Sequence, residues 1–274
     1  MGIRAARAFA PATVANVAVG FDILGFALKN IGEIATLEKI ENGPAVLINT
    51  VAGFETLSTY PLRNTATAGL VRLVQEKKLS FGFKVSLEKT IPIGSGLGGS
   101  SASAVAAIVA ANSLLTKKLT VSEMLDYALT GEEVASGARH ADNVGPCLHG
   151  GLVLIQGHSD FLISKINTPA SLRCVILLPD ISIYTKEARG ILSPTVLLQQ
   201  MIEQSSNLAG FVLGCQTGKL ALIQRSLRDV IIEPQRSKLI PGFSILQEAA
   251  LKAGALGCSI SGSGPALFAL AANQ

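Results

Sequence analysis

Phe81, Phe83, Val85 and Leu87 alternate with Gly82, Lys84, Ser86 and Glu88, the period-two pattern of a half-buried strand. Ile3 to Ala10, Ile34 to Ile40 and Ala45 to Ala52 also predict strands, with the turn residues Glu41, Asn42, Gly43 and Pro44 separating the last two. The period lengthens over Thr65 to Lys77, where Leu70, Val71, Leu73 and Val74 mark one face of a helix. Ser100 to Leu115 is almost entirely Ala, Val, Ile, Leu and Ser, which predicts a helix packed on most sides. Thr120 and Glu123 form a capping box that opens another helix, and Gly137 closes it.

Gly151 to Gln156 predicts a strand. Asn167, Thr168 and Pro169 then read as a junction, because a new pattern begins with a strand expected to be buried, Cys174 to Leu178. Two helices are expected across Pro194 to Val230, and one over Phe243 to Lys252 that ends at Gly254. Cys258 to Ile260 and Ala266 to Ala271 predict strands joined by Ser261, Gly262, Ser263 and Gly264. The class is α+β in two parts, with the boundary expected between residues 167 and 168, so that the domains are 1–167 and 168–274.

Composition narrows the function classes. Of 274 residues, 49% are apolar and 15% charged, enough for a large core and unlike a disordered chain. The formal charge is only +4, basic residues do not cluster, and tryptophan is absent, so no nucleic-acid partner is expected. No apolar run is long enough to span a bilayer, and no membrane partner is expected. The apolar region after Arg4 and Arg7 is interrupted by Pro11, Asn16 and Asp22, unlike a secretory leader. Cys147, Cys174, Cys215 and Cys258 form no CxxC pair, which fits core thiols in a reduced, cytoplasmic setting.

Between the strand ending near Leu87 and the helix from Ser100 lies a loop crowded with glycine and serine. Unpaired N–H groups at a helix start, with the peptide dipoles behind them, favour an anion. Glycines let the backbone approach a polyphosphate, and a serine hydroxyl suits magnesium. The plainer alternative is a linker with a serine cap. A Walker A loop is excluded because no lysine lies between Lys89 and Lys117. Gly94, Gly96 and Gly99 satisfy the spacing of a dinucleotide turn. The acidic residue that turn requires further on is missing, with Asn112 and Lys117 in its region, so hydride transfer is disfavoured.

The loop, read from Pro92 to Ala102, resembles the P-x-x-x-G-L-G-S-S-A phosphate loop of the GHMP kinases, the group named for galactokinase, homoserine kinase, mevalonate kinase and phosphomevalonate kinase. Gly99 is an extra glycine relative to the homoserine kinase form. Three further regions resemble the homoserine kinase family: APATVANVAVGFDILGFAL (Ala10 to Leu28), ASGARHADNVGPCLHGGLVLI (Ala135 to Ile155), and the late blocks ARGIL, EPQRSKLIPGF and SISGSGPALFAL. Gly145 stands where that family usually has alanine. The resemblance runs in order along almost the whole chain. It implies a two-domain GHMP kinase fold, with an N-terminal ATP-binding domain resembling a ribosomal-protein-type fold and a ferredoxin-like C-terminal domain. The family continues with a further helix and strand, whereas this sequence stops at Gln274, so an edge strand of the second domain is expected to be lacking.

The resemblance implies transfer of the γ-phosphoryl group of ATP, with Mg2+, to the side-chain hydroxyl of L-homoserine in threonine biosynthesis. It places phosphate on Pro92, Ile93, Gly94, Ser95, Gly96, Leu97, Gly98, Gly99, Ser100, Ser101, Ala102 and Ser103, and the metal on Ser100 or Ser101 with Glu132. A zwitterionic substrate needs an anion for its ammonium, which Asp22 can supply. It needs a guanidinium fork for its carboxylate, which Arg189 and Arg236 can supply. Asn16 and Asn143 are expected to orient the hydroxyl, and the resemblance puts His140 at the substrate as a donor. With asparagine facing the hydroxyl, no strong base is expected; Asp142 is the rival base. The resemblance also implies a homodimer. The alternatives are a GHMP kinase for another small alcohol such as mevalonate, and a GHMP-fold sensor without turnover.

Overall fold

The protein is described here by a computed structural model covering residues 3–53 and 57–272. Packing divides it into two compact units that interleave along the chain. The first comprises Met1–Thr13, Ala27–Pro92 and Gly98–Gly150; the second comprises Val14–Phe26, Ile93–Leu97 and Gly151–Gln274. The linear division at 167/168 is kept as a proposal for domain identity. Packing groups residues 151–167 with the C-terminal half as well, together with two short early segments, Val14–Phe26 and Ile93–Leu97.

In chain order the elements up to residue 149 are β1 (Ala5–Ala15), β2 (Leu24–Ile40), β3 (Val46–Ala52), α1 (Thr65–Glu76), β4 (Gly82–Glu88), α2 (Gly99–Leu114), α3 (Val121–Ser136) and α4 (Ala141–His149). In the first unit, β4 runs antiparallel to the Ile34–Ile40 part of β2 and parallel to β3. The registers Leu37↔Val85 and Ala35↔Leu87 put four buried apolar side chains on one face, as the period-two pattern requires. Helices α1, α2 and α3 pack on one another. Helix α2 is buried on nearly every side, which explains its lack of a polar stripe. A Cβ on Gly131 of α3 would lie 2.1 Å from the Thr65 carbonyl oxygen and 2.8 Å from the Ala104 Cβ. Glycine there lets α3 close onto α1 and α2, and brings the next residue, Glu132, to the start of α2.

The remaining elements are β5 (Leu152–Gln156), β6 (Leu162–Ile166), β7 (Leu172–Leu177), α5 (Thr185–Gly190), α6 (Leu198–Thr217), α7 (Leu220–Ser226), α8 (Glu233–Arg236), α9 (Phe243–Lys252), β8 (Gly257–Ile260) and β9 (Leu267–Ala272). In the second unit, Leu24–Phe26 pairs antiparallel with β5, and β5 with β6. Strands β7, β9 and β8 make an antiparallel sheet in that order, and β7, expected to be buried, instead lies at the end of this sheet with Val175 and Leu177 exposed. A core of Ile183, Ala188, Ile240, Phe243, Ile260 and Leu267 lies against it, and Phe268 meets Phe26 edge-on at 6.0 Å.

Several elements exceed the sequence expectation. Strand β2 begins ten residues before Ile34, through Gly25, Gly32 and Asn30 at φ 63°, residues that weaken a strand signal. Helix α4 forms despite Pro146 in its interior, which removes one backbone donor; buried Ala141, Val144 and Cys147 hold it in place. Helices α5 and α8 are too short, at six and four residues, to display a period. No described helix is long and apolar enough to cross a membrane.

Candidate functional site

In the first unit, α2 starts on Gly98, which sits in the left-handed region at φ 67°. A Cβ there would fall 2.1 Å from Thr13 Oγ1 and 2.7 Å from Asn143 Oδ1. The loop backbone therefore lies directly against two polar side chains, an approach that only glycine permits. The Thr13 hydroxyl donates to Asn143 Oδ1 at 2.7 Å, so the Asn143 amide keeps its N–H groups for another acceptor. No side chain caps the first turn of α2, and its early N–H groups suit an anion.

Ser100 and Ser101 donate to the same Glu132 oxygen, at 3.3 and 2.7 Å. Ser101 is fully buried, Ser100 is half-buried, and Glu132 is 7% exposed. A carboxylate with hydroxyls is an all-oxygen donor set, and the narrow approach at Gly98 leaves the loop backbone as the surface beside it. That chemistry fits a hard cation such as Mg2+. His140 occupies the N-cap position of α4 without capping it by its side chain, and Asp142 is buried in that helix's first turn.

Beneath the loop lies a pair that the sequence analysis did not single out. Lys89 Nζ is 3.1 Å from Glu33 Oε2 and donates to Ser103 Oγ at 2.7 Å, while Glu33 Oε1 accepts the Ile91 N–H at 3.1 Å. Both charges are almost wholly buried. Burial pushes the Glu33 carboxyl up and the Lys89 ammonium down, against their mutual attraction. The signal was parity: residues 33, 35 and 37 share one face of β2, and Ala35 and Leu37 are core residues.

In the second unit, the turn after β1 carries Asn16, Val17, Ala18 and Asp22 at positive φ. Asn16 Oδ1 accepts the Asp22 N–H at 3.0 Å, and its Nδ2 donates to the Gly262 carbonyl at 2.9 Å, so both ends of this amide are engaged. Asp22 accepts two bonds from Arg189, at 2.6 and 3.1 Å. Arg236 is 3% exposed and donates to the Ala188 and Gly262 carbonyls at 3.1 and 3.0 Å. Both guanidiniums lie over the Phe21 ring, with Arg189 at 5.3 Å and Arg236 at 5.0 Å. The first half of the glycine loop belongs to this unit. The Ser261 hydroxyl donates to the Gly96 carbonyl at 2.8 Å, and the Ala266 and Ile183 N–H groups donate to Ser95 and Gly94 at 3.0 and 3.1 Å.

The expected residues thus form two groups, each assembled within its own unit. Pro92, Gly98 to Ser103, Glu132, His140 and Asn143 belong to the first, and Ile93 to Leu97, Asn16, Asp22, Arg189 and Arg236 to the second. The buried Ser95, Leu97, Ala102 and Ser103 side chains point into protein, so these positions offer a ligand backbone rather than side chain.

Residues 64–151 match the GHMP kinases N terminal domain, and residues 211–274 match the GHMP kinases C terminal domain. A homoserine kinase of Xylella fastidiosa is 46% identical over 96% of this chain and 81% of its own length. A homoserine kinase of Chloroherpeton thalassium is 41% identical over 95% and 85%. The crystal structure of homoserine kinase from Cytophaga hutchinsonii superposes with a TM-score of 0.95 at 43% identity, covering 99% of this chain and 86% of that one. Mevalonate kinase from L. major, at 16% identity, a TM-score of 0.74 and coverage of 98% and 87%, shares the fold. The mixed two-domain fold and the two matched domains agree, and the chain belongs to the GHMP kinases and, within them, to the homoserine kinase family.

Proposed function

We propose that the chain transfers the γ-phosphoryl group of ATP to the side-chain hydroxyl of L-homoserine, giving O-phospho-L-homoserine and ADP, a step of threonine biosynthesis. The observation that carries this choice of substrate is the group in the second unit, one carboxylate and two guanidiniums around Phe21. A small amino acid requires both signs of charge, whereas mevalonate has no ammonium for Asp22 to meet.

On this reading the α2 start and loop N–H groups hold the phosphates, and Ser100, Ser101 and Glu132 hold Mg2+. Bound there, Mg2+ would supply charge neutralisation for the phosphates. Asn143 directs an N–H toward the acceptor hydroxyl, because Thr13 already occupies its oxygen. That group cannot remove a proton. His140 is assigned as a second donor to the substrate. Asn16, whose amide is engaged at both ends, is assigned to fixing Asp22 and the hydroxyl's surroundings rather than to proton transfer. The substrate oxygen attacks the γ-phosphorus in line, the bond to the bridging oxygen of ADP breaks, and the hydroxyl proton passes to a phosphoryl oxygen. Alignment and charge neutralisation carry the rate, with no strong base. A cytoplasmic homodimer completes the proposal.

The test is a coupled ADP-release assay with MgATP and L-homoserine, alone and in competition with mevalonate. Homoserine-dependent release is expected. Preferential turnover of mevalonate would replace the substrate assignment, and nucleotide binding without release would favour a sensor.

A further inference from the structure

Asp22 and Arg189 are each assigned one charge of the substrate, yet they hold each other. Two N–H···O bonds of 2.6 and 3.1 Å join them in a fork. That arrangement has the form of the two contacts an α-amino acid would make, its carboxylate on the guanidinium and its ammonium on the carboxylate. The partners are 30% and 31% exposed, so water can only partly compensate either charge once it is parted from the other. Both are also fixed in place. The Asp22 N–H is tied to Asn16 Oδ1, and the Arg189 guanidinium rests on Phe21, which also carries Arg236.

We propose that this pair is a specificity device, and that the amino acid binds by exchange with it. The substrate carboxylate takes the place of Asp22 on Arg189, and the substrate ammonium takes the place of Arg189 on Asp22. The inference rests on the reading of this group as the homoserine site, and goes beyond it by assigning selectivity to the contact between the two residues. The charge count gives the reason. A zwitterion breaks one ion pair and makes two. An alcohol with a single charge breaks one, makes one, and strands a partly desolvated charge. Such a ligand gains little however well its shape fits.

The exchange predicts effects of opposite sign from one substitution. The probes are L-homoserine, its deaminated analogue γ-hydroxybutyrate and its decarboxylated analogue aminopropanol, measured by ADP release and by competition against homoserine. In the unaltered protein each single-charge analogue is expected to bind about a hundredfold more weakly than homoserine. Asp22→Asn should raise the homoserine KM by about thirtyfold yet tighten γ-hydroxybutyrate several-fold, because Arg189 then has no ion pair to give up. Two outcomes would overturn the exchange. An unchanged γ-hydroxybutyrate affinity would leave Asp22 as a simple ammonium contact, and equal weakening of both ligands would make its role structural. If the unaltered protein releases no ADP with L-homoserine at all, the homoserine reading itself falls, and the exchange falls with it.

Discussion

In the first unit the phosphate-side group is drawn from one continuous stretch, Gly98 to Ser103, and a single residue on the helix that packs against it, Glu132. In the second unit the substrate-side group gathers Asn16, Asp22, Arg189 and Arg236 from opposite ends of the sequence. On the proposed reading the first would hold phosphate largely through backbone N–H groups, so shape would govern it, and a Cβ in the wrong place is the danger. The second would work through side-chain charges, two of which, Asp22 and Arg189, already pair with each other, so changes of charge would govern it. For Glu132 on one side and Arg236 on the other, the contrast implies that substitutions should separate into effects on turnover and effects on amino-acid binding.

The strongest test of that separation is Glu132→Gln. Losing the carboxylate that Ser100 and Ser101 address should lower kcat by about a thousandfold with little change in the homoserine KM. A rise in KM as large as the fall in kcat would break the division. Next in size, Arg236→Ala should raise the homoserine KM by about thirtyfold and leave the ATP KM within about twofold. A collapse of ATP affinity would show that Arg236 serves the other group. Smaller still, Asp142→Asn should hold kcat within about tenfold, and a fall of about 10⁴-fold would identify a base.

The smallest effect concerns how firmly Glu132 is carried. At the start of α3 the Thr120 hydroxyl accepts the Glu123 N–H at 3.2 Å, and Glu123 accepts the Thr120 N–H at 2.8 Å. The Lys77 ammonium and this cap pull the Glu123 carboxyl from 4.5 down to about 2. A depressed carboxyl stabilises the fold above its unfolded value, and that contribution disappears as the pH falls from 4.5 through about 2. Glu123→Gln should therefore flatten the acid limb of a Tm-against-pH curve and move Tm at neutral pH by only about 1 °C. An unchanged acid limb would show that this cap does not secure the helix.

The same contrast explains what the sequence revealed. The loop was legible because strand periodicity, glycines and helix periodicity follow one another without interruption from Phe81 to Leu115. The Thr120 cap was equally visible, being a local pattern. Arg189 and Arg236 sit on α5 and α8, helices too short for any period, so only the family resemblance pointed to them. Their packing on Phe21 and the mutual pairing of Asp22 with Arg189 depend on contacts between distant segments, which no local pattern encodes. Lys89 and Glu33 lie between these cases. Strand parity marks Glu33 as inward-facing, but its partner becomes evident only when β2 and β4 are paired.

Gly98 and Gly99 look interchangeable in the sequence, and the geometry sets them apart. Gly98 carries a positive φ and has polar atoms within 2.7 Å of its would-be Cβ, whereas Gly99 begins α2 and its would-be Cβ comes no nearer than 3.1 Å, to the Ile91 side chain. In a randomised library of this loop, selection for growth should keep position 98 fixed and let small residues enter position 99, where Ile91 has to yield by only a few tenths of an ångström. For anyone building variants, the second glycine is the one available for redesign.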